Sequence, residues 1–515
     1  MAAVDKIDSN STELRFAEEA SFGVLPGSPV WNKLEPNSYD NFGGDVKNTP
    51  REPIAADRQK RKGTITDVDA AGGFNTDLTQ TGFQDLLQGF FFADHRRKGE
   101  EVATNVDGTA NEFDVASTTG FVVGSLVFSS GYALSVNNGL QRVTTVNADT
   151  SLAVAATTIG NEASPPTGSN LVVVGYQGAA GDIDVDASGD LPILTSTSID
   201  FTTLGLIPGE IIFIGGDTAT LAFSTAANNG FARIKSIAEN ALTLDKTQNT
   251  MVTEASTAET VQLFFGRVLK NENTATTIVR RTYNVERQLG APDDASPAQV
   301  QSEYLVGSVP SELTLNFETA DKVTADLSFL AKNHETRTGV VGVKSGTRPS
   351  LGTLDAFNTS SDFSWLGMTV LNATDSNPTA LFAYLTQFGL VVNNNLRPNK
   401  ALGNTGAFNM TAGMFGVSGN VTAFFSDVAA ISAVSANSDV TLHSALVKDY
   451  RVGSTIVKAG MAIDIPLLSL GDGRLNVEKD QEVTIPVNYD ASADRTFDHT
   501  LLMVFYDYLP NAADT

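Results

Sequence analysis

A mainly β protein is predicted by three features of the sequence. Apolar and polar residues alternate with period two over short runs. Gly, Asn, Asp and Pro clusters separate those runs, and the chain carries 44 Gly. Unbroken apolar runs such as Leu171–Val174 and Ile211–Ile214 have the length of strands. A hydrophobic content of 41% supports real cores.

Taken in chain order, the first distinct element is a helix. In Gln80–Phe90, Phe83, Leu86, Leu87 and Phe90 stand at i, i+3, i+4 and i+7 and form one apolar stripe that fits against a sheet. Residues 101–264 then differ in composition from what flanks them. They hold four basic residues, Arg142, Arg233, Lys235 and Lys246, against seventeen acidic ones, a net of −13. The rest of the chain carries −12 of the total −25. Such a block reads as an insertion at an exposed turn of a host domain.

The insertion repeats internally. Phe113-Asp-Val, Gly120–Phe128, Asn137-Asn138-Gly139 with Arg142, and Ser151–Val154 recur as Ile199-Asp-Phe, Gly205–Phe213, Asn228-Asn229-Gly230 with Arg233, and Ala241–Leu244. Each copy predicts a small β-barrel or β-sandwich module, with Asn-Gly supplying the positive φ of tight hairpins. The modules span 101–178 and 179–264.

After the insertion, Leu313–Phe317 and Val323–Phe329 both alternate, and Glu318–Lys322 between them predicts a hairpin. Gly339–Met368 is rich in Gly, Ser, Thr and Asn and reads as a joint or arm. It divides a part built from 1–100 and 265–338 from a second part, 369–515. The last strand is Leu501–Tyr506. Without the insertion roughly 355 residues remain, large for one β-domain and suited to two.

Residues able to do chemistry are scarce. There is no Cys, and His95, His334, His443 and His499 stand singly. No P-loop, Gly-x-Ser-x-Gly elbow or zincin pattern is present, and His334-Glu335 lacks its second His. Asp182-x-Asp184-x-Asp186 starts like a calcium loop. Ala187 and Ile193 then stand where Gly and Glu are required, so a strand with its Asp side chains in water is expected. No catalytic residue, cofactor or metal is assigned. The N-terminus has no signal-like apolar region, and no apolar run reaches the ~18–20 residues that span a bilayer. One cluster opposes the overall charge: Arg51, Arg58, Lys60, Arg61 and Lys62. The cluster reads as a solvated loop or as a contact with the acidic surface of another copy of the chain, with DNA binding the weaker reading because five charges compete with general repulsion.

Outside the insertion a longer pattern runs through Arg15–Trp31, the basic loop, Asp69–Leu78 with Gly72-Gly73-Phe74, and the Phe83–Phe90 helix. It continues through Phe388–Leu396, Leu402-Gly403, Ala412–Asp427, Pro466–Leu470 and Asp480–Val487. In the order of these segments the chain resembles the tail tube (major tail) proteins of long-tailed, siphovirus-like bacteriophages, over roughly residues 12–100 and 265–510. The resemblance implies a β-sandwich with one packed helix. Copies would associate edge to edge, their inner sheets forming a β-barrel around a channel, and rings would stack through long loops into a tube. Tubes of this kind use six domains per ring. A duplicated core then implies a trimer with pseudo-sixfold symmetry, with a hexamer of one enlarged domain as the alternative. Weak parallels between Gly63…Gly72-Gly73-Phe74…Phe83 and Gly406…Gly413…Gly419…Phe424 favour duplication.

The resemblance also implies tape measure, tail terminator and distal tail proteins as partners. DNA would pass without specific binding, no membrane would be engaged, and the protein would be assembled in the host cytoplasm and reside in the virion. The basic cluster becomes a candidate ring-stacking loop. The inserted modules would point outward, like the immunoglobulin-like and other small β-modules of phage tails, although they lack the immunoglobulin Cys and core Trp. A phage or cell-surface adhesin or depolymerase, and a capsid decoration protein, are the other functions such a chain could serve.

Overall fold

The computed structural model describes residues 9–515 apart from 55, 156–158, 291–300, 340–341, 353–354, 453–454 and 515. Parts of the predicted arm therefore lie outside the described residues. Strands are numbered in chain order. The first part comprises β1 (Thr12–Glu18), β2 (Asn32–Leu34), β3 (Pro36–Arg51), β4 (Arg61–Asp77) and helix α1 (Gln84–Phe91). The inserted stretch holds β5 (Glu100–Glu101), β6 (Asn105–Asp107), β7 (Glu112–Asp114), β8 (Ser125–Ser130), β9 (Gly139–Asn147), β10 (Ser151–Val154) and β11 (Asn170–Gln177). It continues with β12 (Asp184–Asp186), β13 (Ile193–Thr195), β14 (Ile211–Ile214), β15 (Gly230–Ala238), β16 (Ala241–Thr247) and β17 (Gln262–Phe264). The chain returns through β18 (Arg267–Lys270), β19 (Tyr283–Leu289), β20 (Gln301–Glu318), β21 (Thr324–Ala331) and β22 (Asn333–Thr338). The remainder is β23 (Phe363–Val370), β24 (Leu385–Asn393), β25 (Arg397–Asn399), β26 (Asn409–Thr411), β27 (Gly416–Phe424), α2 (Ala429–Ser435), β28 (Val440–Val452), β29 (Thr455–Asp472), β30 (Thr484–Ala491) and β31 (Leu502–Leu509).

The protein is mainly β, in two large antiparallel sheets of 16 and 13 strands. The hairpin of Leu313–Phe329 forms with Leu313 opposite Leu327. The predicted stripe becomes α1, with Leu86, Leu87 and Phe90 in the main core and Phe83 just before its first turn. The last strand runs on to Leu509. The predicted joint ends inside β23, so residue 368 is not a boundary of structure.

The 16-stranded sheet contains one arrangement twice. β1–β19–β20–β21–β4–β3 are neighbours in that order, and so are β23–β28–β29–β30–β27–β24. Irregularities coincide as well. The ladder shifts register between Tyr283 and Val285 and between Val440 and Leu442. It shifts again between Pro36 and Ser38 and between Leu385 and Gln387. A bulge is a specific local device, and two shared bulges on top of a shared strand order mark an internal duplication. α1 follows β4 as α2 follows β27. The two halves are joined where β24 pairs with β20, Glu318 opposite Gln387 and Glu312 opposite Asn393. Their facing side chains share one core, in which Phe317 stacks on Phe388 with centroids 4.9 Å apart. Among the described residues the sheet is open and forms no closed barrel.

The 13-stranded sheet runs β12-β13-β16-β15-β14-β17-β11-β8-β9-β10-β7-β6. Its order is symmetric about the β11–β17 pair, so the two repeats are hydrogen bonded into one sheet. Equivalent side chains do equivalent work. Glu162 accepts bonds from the Ala133 amide and Asn137, and Glu254 from the Ser224 amide and Asn228. Two sequence expectations change. Asn-Gly does not make a tight two-residue hairpin, because each pair closes a 3-10 turn and Gly139 and Gly230 open the next strand at φ 128 and 129. The equivalent of Phe113 in the second repeat is Leu194, not Ile199, since Leu152 faces Phe113 and Leu242 faces Leu194.

Candidate assembly surfaces

The duplicated sheet has one face in the core and one in solvent. Alternation places Glu312, Thr314, Asn316 and Glu318 of β20 on the solvent face, beside Thr324, Asp326 and Ser328 of β21 and Asn75 and Asp77 of β4. The same face continues across the joint through Gln387, Asn393, Ser418, Asn420, Thr422, Asn488 and Asp490. No Lys or Arg occurs in Pro310–Glu318, in Asp67–Asp77 or anywhere in β21, β24, β27 and β30. The acids are held by amides. Asp326 accepts from Asn75 at 2.7 Å and from Asn316 at 2.8 Å, and Glu312 accepts from Asn393 at 2.6 Å. The strands of this wall present carboxylates, amides and hydroxyls and no cation of their own, and at its rim Lys322 of the β20–β21 turn pairs with Asp77 at 2.7 Å.

The five residues of the basic cluster lie together at the end of the long β3–β4 hairpin. Arg51 ends β3, Arg61 and Lys62 open β4, and Arg58 takes the left-handed conformation at φ 55 in the turn. All five side chains are exposed, and acids pair with two of them: Lys60 with Glu52 at 2.8 Å and Arg61 with Asp57 at 2.6 Å. Below the last pair with β21, Ala70 with Ala331, nine residues reach the tip, about 30 Å of extended chain. Ile54, Val46 and Ile65 are exposed along it, an apolar surface with charge around it. At the base of the hairpin, Lys400 of the 394–415 segment pairs with Asp67 and Asp69.

The inserted sheet does not stand away from the core. Leu126, Phe128, Val174, Ile211, Phe213, Phe231 and Phe264 of its central strands pack on Trp365, Val447, Leu502, Val504, Tyr506 and Leu509 of the second half. Arg233, fully buried, forms a fork on Asp245 at 2.9 and 2.7 Å and reaches Asp464 of β29 at 2.8 Å and Thr441 of β28 at 2.9 Å. Its guanidinium lies 4.8 Å from the Phe497 ring centre. Lys98 and Glu210 form a second buried pair at 3.0 Å. The stretch leaves and rejoins the core beside the Arg96–Val268 bridge. In the first half, the equivalent outer face is covered by the chain around Lys344–Arg348. There Trp31 donates to the Ser345 carbonyl at 3.0 Å, and Arg348 pairs with Glu286 at 2.8 Å.

Two histidines belong to these interfaces. Burial pushes His443, which lies against Trp365, down to about 3, and nearby Arg233 acts in the same direction. Burial pushes His95, edge-on to Phe505, down to about 4, with Arg267 adding to it. Both are neutral when folded and bind protons more readily when unfolded. Stability is therefore complete above about pH 6.5 and falls as pH drops below it, by up to about 1.4 kcal/mol per pH unit for each histidine until the folded value is reached. Urea midpoints between pH 7 and 5 should show this loss, and replacing His443 by Gln should flatten it.

The remaining candidates hold no reaction centre. Asp182 is buried rather than in water. It accepts from Ser196 Oγ at 2.6 Å and from the Thr197 and Ser198 amides, while Asp184 accepts from Ser256 and Asp186 from Ser188. The three carboxylates thus pin turns, and among the described residues no group of three or more potential ligands forms a metal site. A cavity of about 340 Å³ lies between Phe317, Phe363 and Phe388, with Glu318 as its one carboxylate. Reading the sequence alone missed the cation-free wall, although the absence of Lys and Arg from these strands was there to be counted. It also missed Arg233 as a lock, although a basic residue inside Phe231–Ile234 of an acidic stretch was the signal.

No curated protein matches the chain. The family model for the phage tail tube protein matches residues 9–491, which takes in both halves of the duplicated sheet and the inserted one. The chain belongs to the phage tail tube protein family, and it is a structural rather than an enzymatic component of the virion.

Proposed function

We propose that this protein forms the tail tube of a long-tailed phage as stacked rings around a channel through which the genome passes. The observation that carries this reading is the sheet face without Lys or Arg. Turned inward, it gives the bore a wall whose carboxylates repel phosphate and whose amides are already occupied, so DNA slides without binding. Each chain supplies two equivalent sheet halves, so three chains make a ring with pseudo-sixfold symmetry. The covered outer faces, one under the arm and one under the inserted sheet, leave the polar wall as the face available to the bore.

Stacking falls to the β3–β4 hairpin. A contact between one end of a subunit and the opposite end of the next is heterologous and propagates without limit, as a tube requires. The hairpin tip carries the positive charge. At the other end of the sheet stand Glu35, Glu318 and Asp321, with Asp77 paired to Lys322. Replacing Arg58, Lys60, Arg61 and Lys62 by Glu should leave the melting temperature within a few degrees and stop tube growth, yielding free rings by electron microscopy. Tubes of normal length from this variant would remove the hairpin from the stacking contact.

A further inference from the structure

We infer that the β24–β20 ladder inside the chain is the template for the joint between chains. In that joint the outer edge of β3, Ser38–Phe42, pairs with Arg474–Glu478, just past the end of β29, in a second copy. The inference rests on the reading of the chain as a ring-forming subunit.

The duplication identifies both partners. β24 pairs with β27 on one side and with β20 on the other. Its equivalent β3 pairs with β4 on one side, and its other edge has no ladder among the described residues. The shared bulges fix the correspondence, with Pro36 at the position of Leu385, Ser38 at Gln387 and Tyr39 at Phe388.

On the receiving side, β19 accompanies β20 as far as Ser308, and β24 takes over the same side from Glu312 to Glu318. β28 accompanies β29 as far as Leu468. From Ser469 to Asp472, β29 keeps β30 on its other side only. The segment corresponding to Glu312–Glu318 is Asp472–Glu478. It runs on past the strand, held by the Asn476–Thr484 bridge, with Leu475 and Val477 exposed to solvent.

An unpaired β3 edge and an unpaired β29 edge on one chain would template uncontrolled pairing unless something covers them. A second copy covers both at once, because each is the missing half of a joint the chain already makes internally. In register with the template, Ser38 faces Glu478, Tyr39 faces Val477 and Asp40 faces Asn476. Tyr39 on Val477 then repeats the contact that Phe388 makes with Phe317. The polar wall continues across the joint through Ser38 and Asp40.

The chain has no Cys, so engineered pairs report without background. Directly opposed antiparallel residues lie within reach of a disulfide. Two variants cover neighbouring positions of the ladder: Ser38→Cys with Glu478→Cys, and Tyr39→Cys with Val477→Cys. After mild oxidation of assembled protein, most chains of at least one variant should run as a covalent trimer on a denaturing gel, and each single-Cys chain should stay monomeric. Rings or tubes seen by microscopy with no cross-link in either variant would overturn this joint and leave the tube reading standing. A product that stops at the dimer would also overturn it, since it indicates a two-fold contact. Wild-type protein that forms no rings under any assembly condition would instead overturn the tube reading itself.

Discussion

Replacing Arg233 by Ala should destabilise the protein by about 3–5 kcal/mol, the usual cost of removing one partner from a buried ion network. The loss has two sources. Asp464 is fully buried and Asp245 nearly so, and without the guanidinium neither carboxylate keeps a salt bridge to Lys or Arg. The ring contact with Phe497 is lost as well. Because Arg233 belongs to the inserted sheet while Asp464 and Thr441 belong to the second half, the damage falls on the seam between the two sheets. A triple replacement, Arg233→Met with Asp245→Leu and Asp464→Leu, should recover most of the loss, since a buried charge network can often be exchanged for apolar packing. Chemical denaturation checks both. A change below 1 kcal/mol for Arg233→Ala would show that the network does not hold the seam.

Excising Val102–Phe264 and closing the gap with a short Gly-Ser linker should yield insoluble protein. The linker itself imposes little strain, because the chain leaves and re-enters beside the Arg96–Val268 bridge. The cost is the surface uncovered. Trp365, Val447, Leu502, Val504, Tyr506 and Leu509 would face water. At about 1.5–3 kcal/mol for each large apolar side chain, that is on the order of 10 kcal/mol, comparable to the whole stability of a domain. A patch of that size on a free monomer also drives aggregation. Soluble, cooperatively melting protein after this deletion would mean that the inserted sheet is a detachable decoration.

Much of this architecture was legible because it is local. The Leu313–Phe329 hairpin declared itself by alternation around a short turn, α1 by the spacing of Phe83, Leu86, Leu87 and Phe90, and the inserted repeat by its glycines and Asn-Gly pairs. What was not legible depends on partners distant in sequence. Nothing near Phe388 announces that it will stack on Phe317 across the joint of two halves. The docking of the inserted sheet did leave a trace. Ile211–Ile214 is continuously apolar, with all four residues buried, where a half-exposed strand would alternate. Such a run needs cover on both faces, and the second cover is the seam held by Arg233. The total charge of −25 was the least informative feature, since the wall proposed for the bore is distinguished by an absence of cations rather than by a high density of acids.

Electron cryomicroscopy of tubes assembled from the purified protein tests the central claim most directly. The account predicts stacked rings of three chains, six equivalent sheet halves around an open bore, with Asn316, Asp326, Asn420 and Asn488 facing the channel and the inserted sheets outside. Rings of six chains, a bore lined by another face of the sheet, or particles that stay as single globular subunits would contradict it.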